Sequence, residues 1–325
     1  MANNRNPMLA MRDFLSALTL VTLGISAVGV SAAPTSGFGQ ASYSRAVGLF
    51  SHRGGLCGSR FQPAALVKSE RRLRSSRRTG RQSNTEWVTI PVNFHIISAN
   101  DTIQGGGAVT DEQIDAQMDV LRDSFATARI EWELLNVTRT TNTTWFNSIG
   151  REMKAALGSG KAGVLDVYIS TIAGGQIAGY VRAFPSRFND DPTIESDRKM
   201  IDGVVIDWIT LPNGPAPDIL LGKTLVHEVG HWAGLLHTFA PGSCQGPGDY
   251  VDDTPAQAFA SHLEISANIT TADQCVARDS CPNLPGSDPI NNFMDYAAEV
   301  CQREFTPGQI SRMRGILDLY RGIRP

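Results

Sequence analysis

The sequence predicts an α/β fold in which helices cover a twisted mixed sheet. Short runs that alternate between apolar and polar residues recur along the chain, and a helical pattern with one apolar face lies between the first two of them. Strands that alternate with helices are typical of a sheet packed against helices. A formal net charge of −3 over 325 residues gives no general attraction to nucleic acid, so no such partner is expected.

The first strand and the first helix follow from the spacing of their apolar residues. From Trp87, apolar and polar residues alternate, as in a strand that buries one face. Thr110 and Gln113 then have the spacing of a capping box at the start of a helix. After Thr110, apolar residues recur mostly three or four positions apart, which predicts an amphipathic helix: Ile114, Met118, Leu121 and Phe125.

The remaining elements are shorter runs separated by glycine-rich or polar connections. The further predicted strands are 130–135, 164–169, 177–184 and 203–209. The run 177–184 closes on Pro185, which suits a sheet edge; an edge can add a peptide as a further strand, although most edges bind nothing. Beyond residue 238 the chain is rich in loops until Thr306 and Pro307 begin a final helix.

The amino-terminal residues 1–33 have the layout of a secretory signal peptide. Two arginines precede an apolar stretch, residues 14–30, and small residues follow it. An uncleaved membrane anchor is the alternative, but the stretch is short for a span and is interrupted by Gly24 and Gly29. We therefore expect a secreted, extracellular protein without a stable membrane anchor.

Residues 34–85 are predicted to form a prosegment that is poorly ordered and removed, and residues 86–325 to form the folded domain. The prosegment contains Gly, Ser and Arg without sustained apolar periodicity. A cluster of arginines within it fits either a solvated stretch or a protease-sensitive junction: Arg71, Arg72, Arg74, Arg77, Arg78 and Arg81.

Three of the six histidines fall within the eleven residues from His227 to His237. His227 and His231 are four positions apart, so on a helix their imidazoles lie on one face and can bind one ion. Glu228 is rotated away from that direction and can reach a water molecule instead. Gly234 can adopt the left-handed conformation that ends a helix, which lets His237 approach the ion from outside the helix.

This set of residues predicts a catalytic zinc site. Three neutral imidazoles leave one coordination position open, whereas a structural site is usually closed by a fourth protein ligand. Zinc would activate water and polarise a carbonyl, and Glu228 would transfer the proton. A helix that carries histidines by chance is the alternative. It does not explain why the glutamate, the glycine and the third histidine stand at these spacings.

The stretch from His227 to His237 is similar to the zinc motif of metzincin metallopeptidases, above all to their pappalysin-like branch, which includes secreted fungal and bacterial extracellular metalloproteases. Further matches bring the resemblance to roughly residues 85–325: Thr238-Phe239, Asp253-Thr254-Pro255, Asn292-Phe293-Met294-Asp295-Tyr296 and Glu304-Phe305-Thr306-Pro307-Gly308-Gln309. The resemblance implies a metzincin catalytic domain with a loop-rich, disulfide-linked lower half. It also implies hydrolysis of peptide bonds in protein substrates, and we expect a monomer.

The resemblance assigns roles to single residues as well. Met294 would form a hydrophobic floor below the zinc, and Tyr296 would stabilise the oxyanion of the tetrahedral intermediate. Structural calcium is implied near three carboxylates, although short acidic loops are usually only solvated: Asp249, Asp252 and Asp253.

The five cysteines fit a secreted protein with two disulfides and one cysteine left over. Spacing alone allows three pairings of the four carboxyl-terminal cysteines. The resemblance implies the pairs Cys244–Cys281 and Cys275–Cys301. Cys57 is either a latency residue, whose thiolate fills the open position on zinc, or an unpaired cysteine in a leader. N-glycosylation sequons are present at Asn100, Asn136, Asn142 and Asn268.

Two other functions remain as alternatives to a protease. One is a pseudoprotease that binds zinc and a partner without turnover, but Glu228 argues against it because that residue serves turnover more than metal affinity. The other is a zinc hydrolase that acts on a non-peptide amide, and the context of Met294 and Tyr296 disfavours it.

Overall fold

The structure is a computed structural model that describes residues 57–59, 63–78, 85–186, 197–261 and 269–325. Its strands are β1 Val88–Ser98, β2 Ile130–Thr141, β3 Leu165–Ser170, β4 Gly179–Val181 and β5 Val204–Asp207. They form one sheet in the order β2-β1-β3-β5-β4. All neighbouring pairs are parallel except β4 and β5, which are antiparallel. The predicted mixed α/β fold is confirmed.

β1 is an inner strand of the sheet, because it pairs with β2 on one side and with β3 on the other. Its first half alternates as predicted, with Val88, Ile90 and Val92 buried between more exposed neighbours. From Phe94 to the end of the strand every residue is buried, since helices cover both faces of the sheet there.

The helices are α1 Pro63–Arg78, α2 Ile103–Gly106, α3 Asp111–Phe125, α4 Thr143–Asn147, α5 Arg151–Leu157, α6 Arg198–Ile201, α7 Lys223–Trp232 and α8 Pro307–Ile316. α3 begins with the predicted capping box, in which Thr110 and Gln113 bond each other's backbone N–H groups. α3, α7 and α8 share one large apolar core with one face of the sheet. Phe146 of α4 and Met153 of α5 pack on the other face. Among the described residues, no helix has the length and apolar character needed to cross a bilayer.

Two predicted strands end earlier than expected. The run 203–209 forms β5 only as far as Asp207, whose side chain accepts hydrogen bonds from the backbone N–H groups of Ile172 and Ile209. The chain therefore turns into a short 3₁₀ helix, Trp208–Thr210, at this point. The run 177–184 contributes only β4, which is the predicted edge strand.

α1 corrects the expectation that residues 34–85 lack regular structure. Residues 63–78 form a helix that packs on α8, and its buried side is formed by Leu66, Ser69, Glu70 and Leu73. Only two of these side chains are apolar, so the sequence shows no clear apolar stripe. The predicted signal peptide, residues 1–33, lies outside the described residues, and removal of the prosegment remains a prediction.

We call residues 85–237 the upper region and residues 238–306 the lower region. The described part of the lower region contains almost no regular structure apart from a 3₁₀ turn, Ala272–Gln274. Disulfides Cys244–Cys281 and Cys275–Cys301 cross-link it, which confirms the expected pairing. α8 follows at the predicted start, where Thr306 and Gln309 form a capping box, and continues as a π-helical turn, Leu317–Arg321. His262 and Asn268 lie outside the described residues.

Candidate active site

α7 and the turn after it bring the three histidines together. His227 and His231 lie one turn apart on α7, and Gly234 ends the helix with a φ of 96° in the left-handed region. A Cβ on Gly234 would lie 2.6 Å from a side-chain carbon of Ile316, so glycine is also required by space. The chain reverses here, and His237 returns with its Nε2 atom 3.0 Å from that of His231.

Backbone carbonyls fix the orientation of the two helical imidazoles. Nδ1 of His227 lies 2.7 Å from the carbonyl oxygen of Phe293, and Nδ1 of His231 lies 2.9 Å from that of Leu235. A carbonyl only accepts hydrogen bonds, so each Nδ1 carries the proton and each Nε2 keeps its lone pair. Nε2 of His227 is buried and has no hydrogen-bond partner among the described residues.

The three imidazoles are held in the neutral form. Burial lowers the pKa of His227 to about 4. Burial and the neighbouring imidazoles lower the pKa values of His231 and His237 well below the ordinary value. Neutral imidazoles whose lone pairs face one point are the ligands that zinc takes in a catalytic site. The residues present therefore fit a zinc ion.

Cys57 completes a four-membered donor set. Its Sγ and one ring nitrogen from each of the three histidines all lie within 4.8 Å of one another. This is the one group of three or more His, Cys, Asp or Glu side chains suited to a metal within the residues that the structure describes. Burial, and then the nearby Glu228, raise the pKa of the Cys57 thiol. A bound divalent cation would have the opposite effect and favour the thiolate.

Glu228 lies beside this donor set and contacts the segment that carries Cys57. Its Oε2 accepts a hydrogen bond of 3.0 Å from Ser59 Oγ. Burial raises the pKa of Glu228 to about 8. Gly179 at the start of β4 allows the close approach of Glu228, because a Cβ at residue 179 would lie 2.8 Å from Cγ of the glutamate.

Met294 and Tyr296 lie below and beside the histidines. Met294 is fully buried, and its sulfur fills the space next to Gly230, where an added Cβ would lie 2.4 Å from the sulfur. The Tyr296 hydroxyl lies 3.2 Å from Nε2 of His237 and accepts a hydrogen bond of 3.2 Å from the backbone N–H of Cys57. Burial raises the pKa of Tyr296, so the phenol stays protonated.

The edge strand β4 pairs with residues 57–59. Gly58 N donates to the carbonyl of Gly179 at 2.9 Å, and Val181 N donates to Ser59 Oγ at 2.8 Å. The bridge between Cys57 and Gly179 is parallel. The predicted sheet edge is thus covered by a segment of the same chain.

Glu299 is a site-supporting residue that the sequence did not reveal. Gly222, at the amino end of α7, has no side chain to cap the helix. Glu299 instead accepts hydrogen bonds from the backbone N–H groups of Leu221, Lys223 and Thr224, at 2.5 to 3.0 Å. A helix that begins on glycine is the one sequence signal for such an external cap.

A second polar network ties the segment after His237 to the Met294–Tyr296 turn. The Thr238 hydroxyl donates to Gln257 Oε1 at 2.7 Å, and Gln257 Nε2 donates to Asp295 Oδ1 at 2.9 Å. Asp253, one of the carboxylates considered for calcium, instead binds Thr306 and Gly308 at the start of α8.

Comparison with known proteins agrees with this geometry. Residues 218–318 match the M43 peptidase family, described as Pregnancy-associated plasma protein-A. An extracellular metalloprotease of Colletotrichum graminicola is 40% identical over 237 residues, which cover 72% of this chain and 78% of that protein. One of Pyricularia oryzae is 41% identical over 237 residues and covers 72% and 76%, respectively. The chain belongs to peptidase family M43.

The fold of this M43 chain is also similar to those of solved structures. A mutant of Tannerella forsythia promirolysin aligns with a TM-score of 0.61 and 25% identity, covering 82% of this chain and 95% of that one. Mature mirolysin of Tannerella forsythia in complex with a cleaved peptide aligns with a TM-score of 0.53 and 26% identity, covering 74% and 99%. The predicted metallopeptidase is confirmed, and membership of the family implies a catalytic metal, typically zinc.

Proposed function

We propose that this M43 metallopeptidase binds its catalytic zinc with His227, His231 and His237 and uses Glu228 as general base and acid. The convergence of three buried, neutral imidazoles beside that carboxylate carries the proposal. When bound, zinc polarises the scissile carbonyl and makes water more acidic. Glu228 takes the proton of the attacking water and then delivers it to the leaving amine.

The surroundings of Glu228 and Tyr296 support these roles. Burial beneath residues 57–59 raises the pKa of Glu228 to about 8, and a bound divalent cation would act in the opposite direction, so that the carboxyl group could exchange a proton near neutral pH. The Tyr296 hydroxyl is a protonated donor 3.2 Å from Nε2 of His237, so it lies beside the residues that would hold the zinc. Tyr296 therefore stabilises the oxyanion that forms on attack.

A peptide substrate would bind in extended form along β4. The backbone groups of Gly179 and Val181 already bind residues 57–59, so this edge offers the hydrogen bonds that an added strand needs. Release of residues 57–59 is required before a substrate takes their place.

The test is digestion of casein by the mature protein, with and without a zinc chelator, next to Glu228→Ala and His231→Ala. We expect Glu228→Ala to lower kcat/KM by about 10²- to 10⁴-fold with its zinc content unchanged. We expect His231→Ala to lose zinc, because a ligand is removed. Proteolysis that survives chelation, or full activity in Glu228→Ala, would disprove the mechanism.

We also propose that Cys57 keeps the precursor latent. Its Sγ lies in the donor set, its backbone N–H binds Tyr296, and the adjoining Ser59 binds Glu228, so the segment engages each part of the proposed machinery. Cys57→Ala should show premature activity in the precursor or a lower yield of intact precursor. Unchanged behaviour of this variant would remove the idea.

The remaining assignments are proposals of the same kind. The relatives are named extracellular metalloproteases, which supports secretion of this chain after removal of residues 1–33. Asn100 and Asn136 are exposed and could carry glycans. Metal analysis of the purified mature protein, together with its mass in solution, tests structural calcium and the expected monomer.

A further inference from the structure

α1 binds the catalytic domain through a surface distinct from the edge strand β4. Leu66 packs with Phe184 and Leu236, and Leu73 packs with Ile316 and Tyr320. These two leucines are 9% and 2% exposed, so each is almost fully withdrawn from water. We call the receiving side chains the α1-docking surface: Phe184, Leu236, Arg312, Ile316 and Tyr320.

A buried ion pair lies between the two leucine contacts. The carboxylate of Glu70 meets the guanidinium of Arg312, and the two side chains are 10% and 1% exposed. Arg312 is held independently of α1, because its Nε donates to the carbonyl of Gly234 at 2.8 Å. The catalytic domain thus presents a fixed, buried cation that Glu70 of α1 neutralises, and such a contact favours a helix that places a carboxylate between two apolar side chains.

The order of these segments along the chain determines which contacts a cut would leave intact. The segment with Cys57, Gly58 and Ser59 comes first, α1 follows, and residues 79–84, with Arg81, connect α1 to the upper region. A cut in the connection separates the prosegment covalently. It breaks none of the contacts at Cys57, at β4 or on the α1-docking surface.

We propose that the α1-docking surface retains the prosegment after the chain is cut between α1 and β1, so that release of α1, and not the cut, activates the enzyme. This inference rests on the latency proposed for Cys57. The retained fragment is a non-covalent inhibitor of its own enzyme, bound through the helix on one side and through residues 57–59 on the other.

The docking surface lies directly behind the turn that positions His237. Arg312 and Ile316 both contact Gly234, one through a hydrogen bond and the other through van der Waals packing. Arg312 also contacts Glu70 of α1, and Ile316 also packs with Leu73 of α1. α1 therefore binds the same face of α8 that supports the turn between His231 and His237.

The experiment uses the full chain with residues 79–84 replaced by the recognition sequence of a sequence-specific protease. After the cut, we expect the prosegment fragment to co-elute with the catalytic domain in size-exclusion chromatography. Peptidase activity should stay low and rise only as the sample is diluted and the fragment dissociates. A fragment that elutes separately at once, with full activity, would overturn the proposal.

Variants in α1 separate specific docking from general adhesion, and they leave the mature enzyme unchanged. Glu70→Gln and Leu73→Ala should each speed dissociation of the fragment by about tenfold or more, as expected for loss of one buried contact. Their matched controls are Arg74→Gln and Val67→Ala, which alter exposed positions of the same helix. The controls should change dissociation by less than about twofold. Equal rates for all four variants would refute the docking surface.

Cys57→Ala separates docking of α1 from latency at Cys57. In the cut protein we expect its fragment still to co-elute, because α1 is intact, while activity rises. Co-elution is read without any activity, so it tests docking even if Cys57 does not keep the precursor latent. A Cys57→Ala fragment that elutes separately at once would assign retention to the thiol and overturn the role of α1.

Discussion

The upper and lower regions achieve their structures by different means. In the upper region the sheet, α3 and α7 share a core of apolar side chains that are almost completely buried. In the lower region about half of the described buried side chains are polar, including Asp249, Asp288 and Asp295, and two disulfides cross-link the loops. The candidate site combines both, since His227 comes from the first region and Tyr296 from the second. The geometry of the site therefore depends on how the two regions are joined.

The largest effect is expected from a cavity in the upper region. Phe94 is fully buried at the centre of β1, and Phe94→Ala removes a ring from the shared core. We expect the free energy of unfolding to fall by about 3–5 kcal/mol, measured by urea denaturation. Val276→Ala is the control in the lower region, because Val276 is 77% exposed; its effect should stay within about 0.5 kcal/mol. A loss below about 1 kcal/mol for Phe94→Ala would contradict the dependence on apolar packing.

Loss of a disulfide should affect the lower region first. Cys275 and Cys301 are 26 residues apart, and opening a loop of this size costs about 3–4 kcal/mol in chain-entropy terms. In the double variant Cys275→Ser, Cys301→Ser, we expect hydrogen exchange to accelerate in residues 269–306 while amides of β1 and β3 stay protected. Simultaneous loss of protection in both regions would show that they unfold as one unit.

Glu299 tests the connection between the regions. Its carboxylate, from the lower region, caps the amino end of α7. In Glu299→Gln an amide NH₂ replaces one acceptor oxygen, so a buried backbone donor loses its partner at a cost of about 1–3 kcal/mol. The measurement is the melting temperature and kcat/KM beside Glu304→Gln, an exposed control. Equal behaviour of the two variants would exclude a joining role for Glu299.

The difference between the upper and lower regions also explains which features the sequence predicts. α3 and the start of β1 were predictable because their apolar residues repeat within a few positions, and the His227–His231 pair because four residues make one helical turn. The cap from Glu299 to Thr224 joins residues 75 positions apart, and no local pattern records it. α1 was missed because its buried side has only two apolar residues and includes Glu70, whose partner Arg312 is distant in sequence. Local periodicity thus reveals the upper region, while long-range polar contacts determine the lower one.

The smallest effect concerns a buried charged side chain of the upper region, Lys154. Its ammonium group donates to the carbonyl of Asp202 at 2.8 Å and lies over the Tyr168 ring. Burial lowers the pKa of Lys154 from the ordinary 10.5 to about 7, although Asp202 opposes the shift. Between these two values the unfolded chain binds more protons than the folded protein, so this lysine makes stability rise with pH in that window.

Lys154→Met should therefore remove this pH dependence. The variant avoids the cost of burying a charge but loses one hydrogen bond, so we expect a net gain of about 1 kcal/mol or less below pH 7. The gain should shrink as pH rises toward 10.5, because deprotonation in the folded wild-type protein relieves the same cost. Urea denaturation at several pH values measures this, with Lys161→Met as the exposed control. A fall of several kcal/mol in the free energy of unfolding of Lys154→Met would instead show that the upper region, like the lower, depends on a buried polar contact.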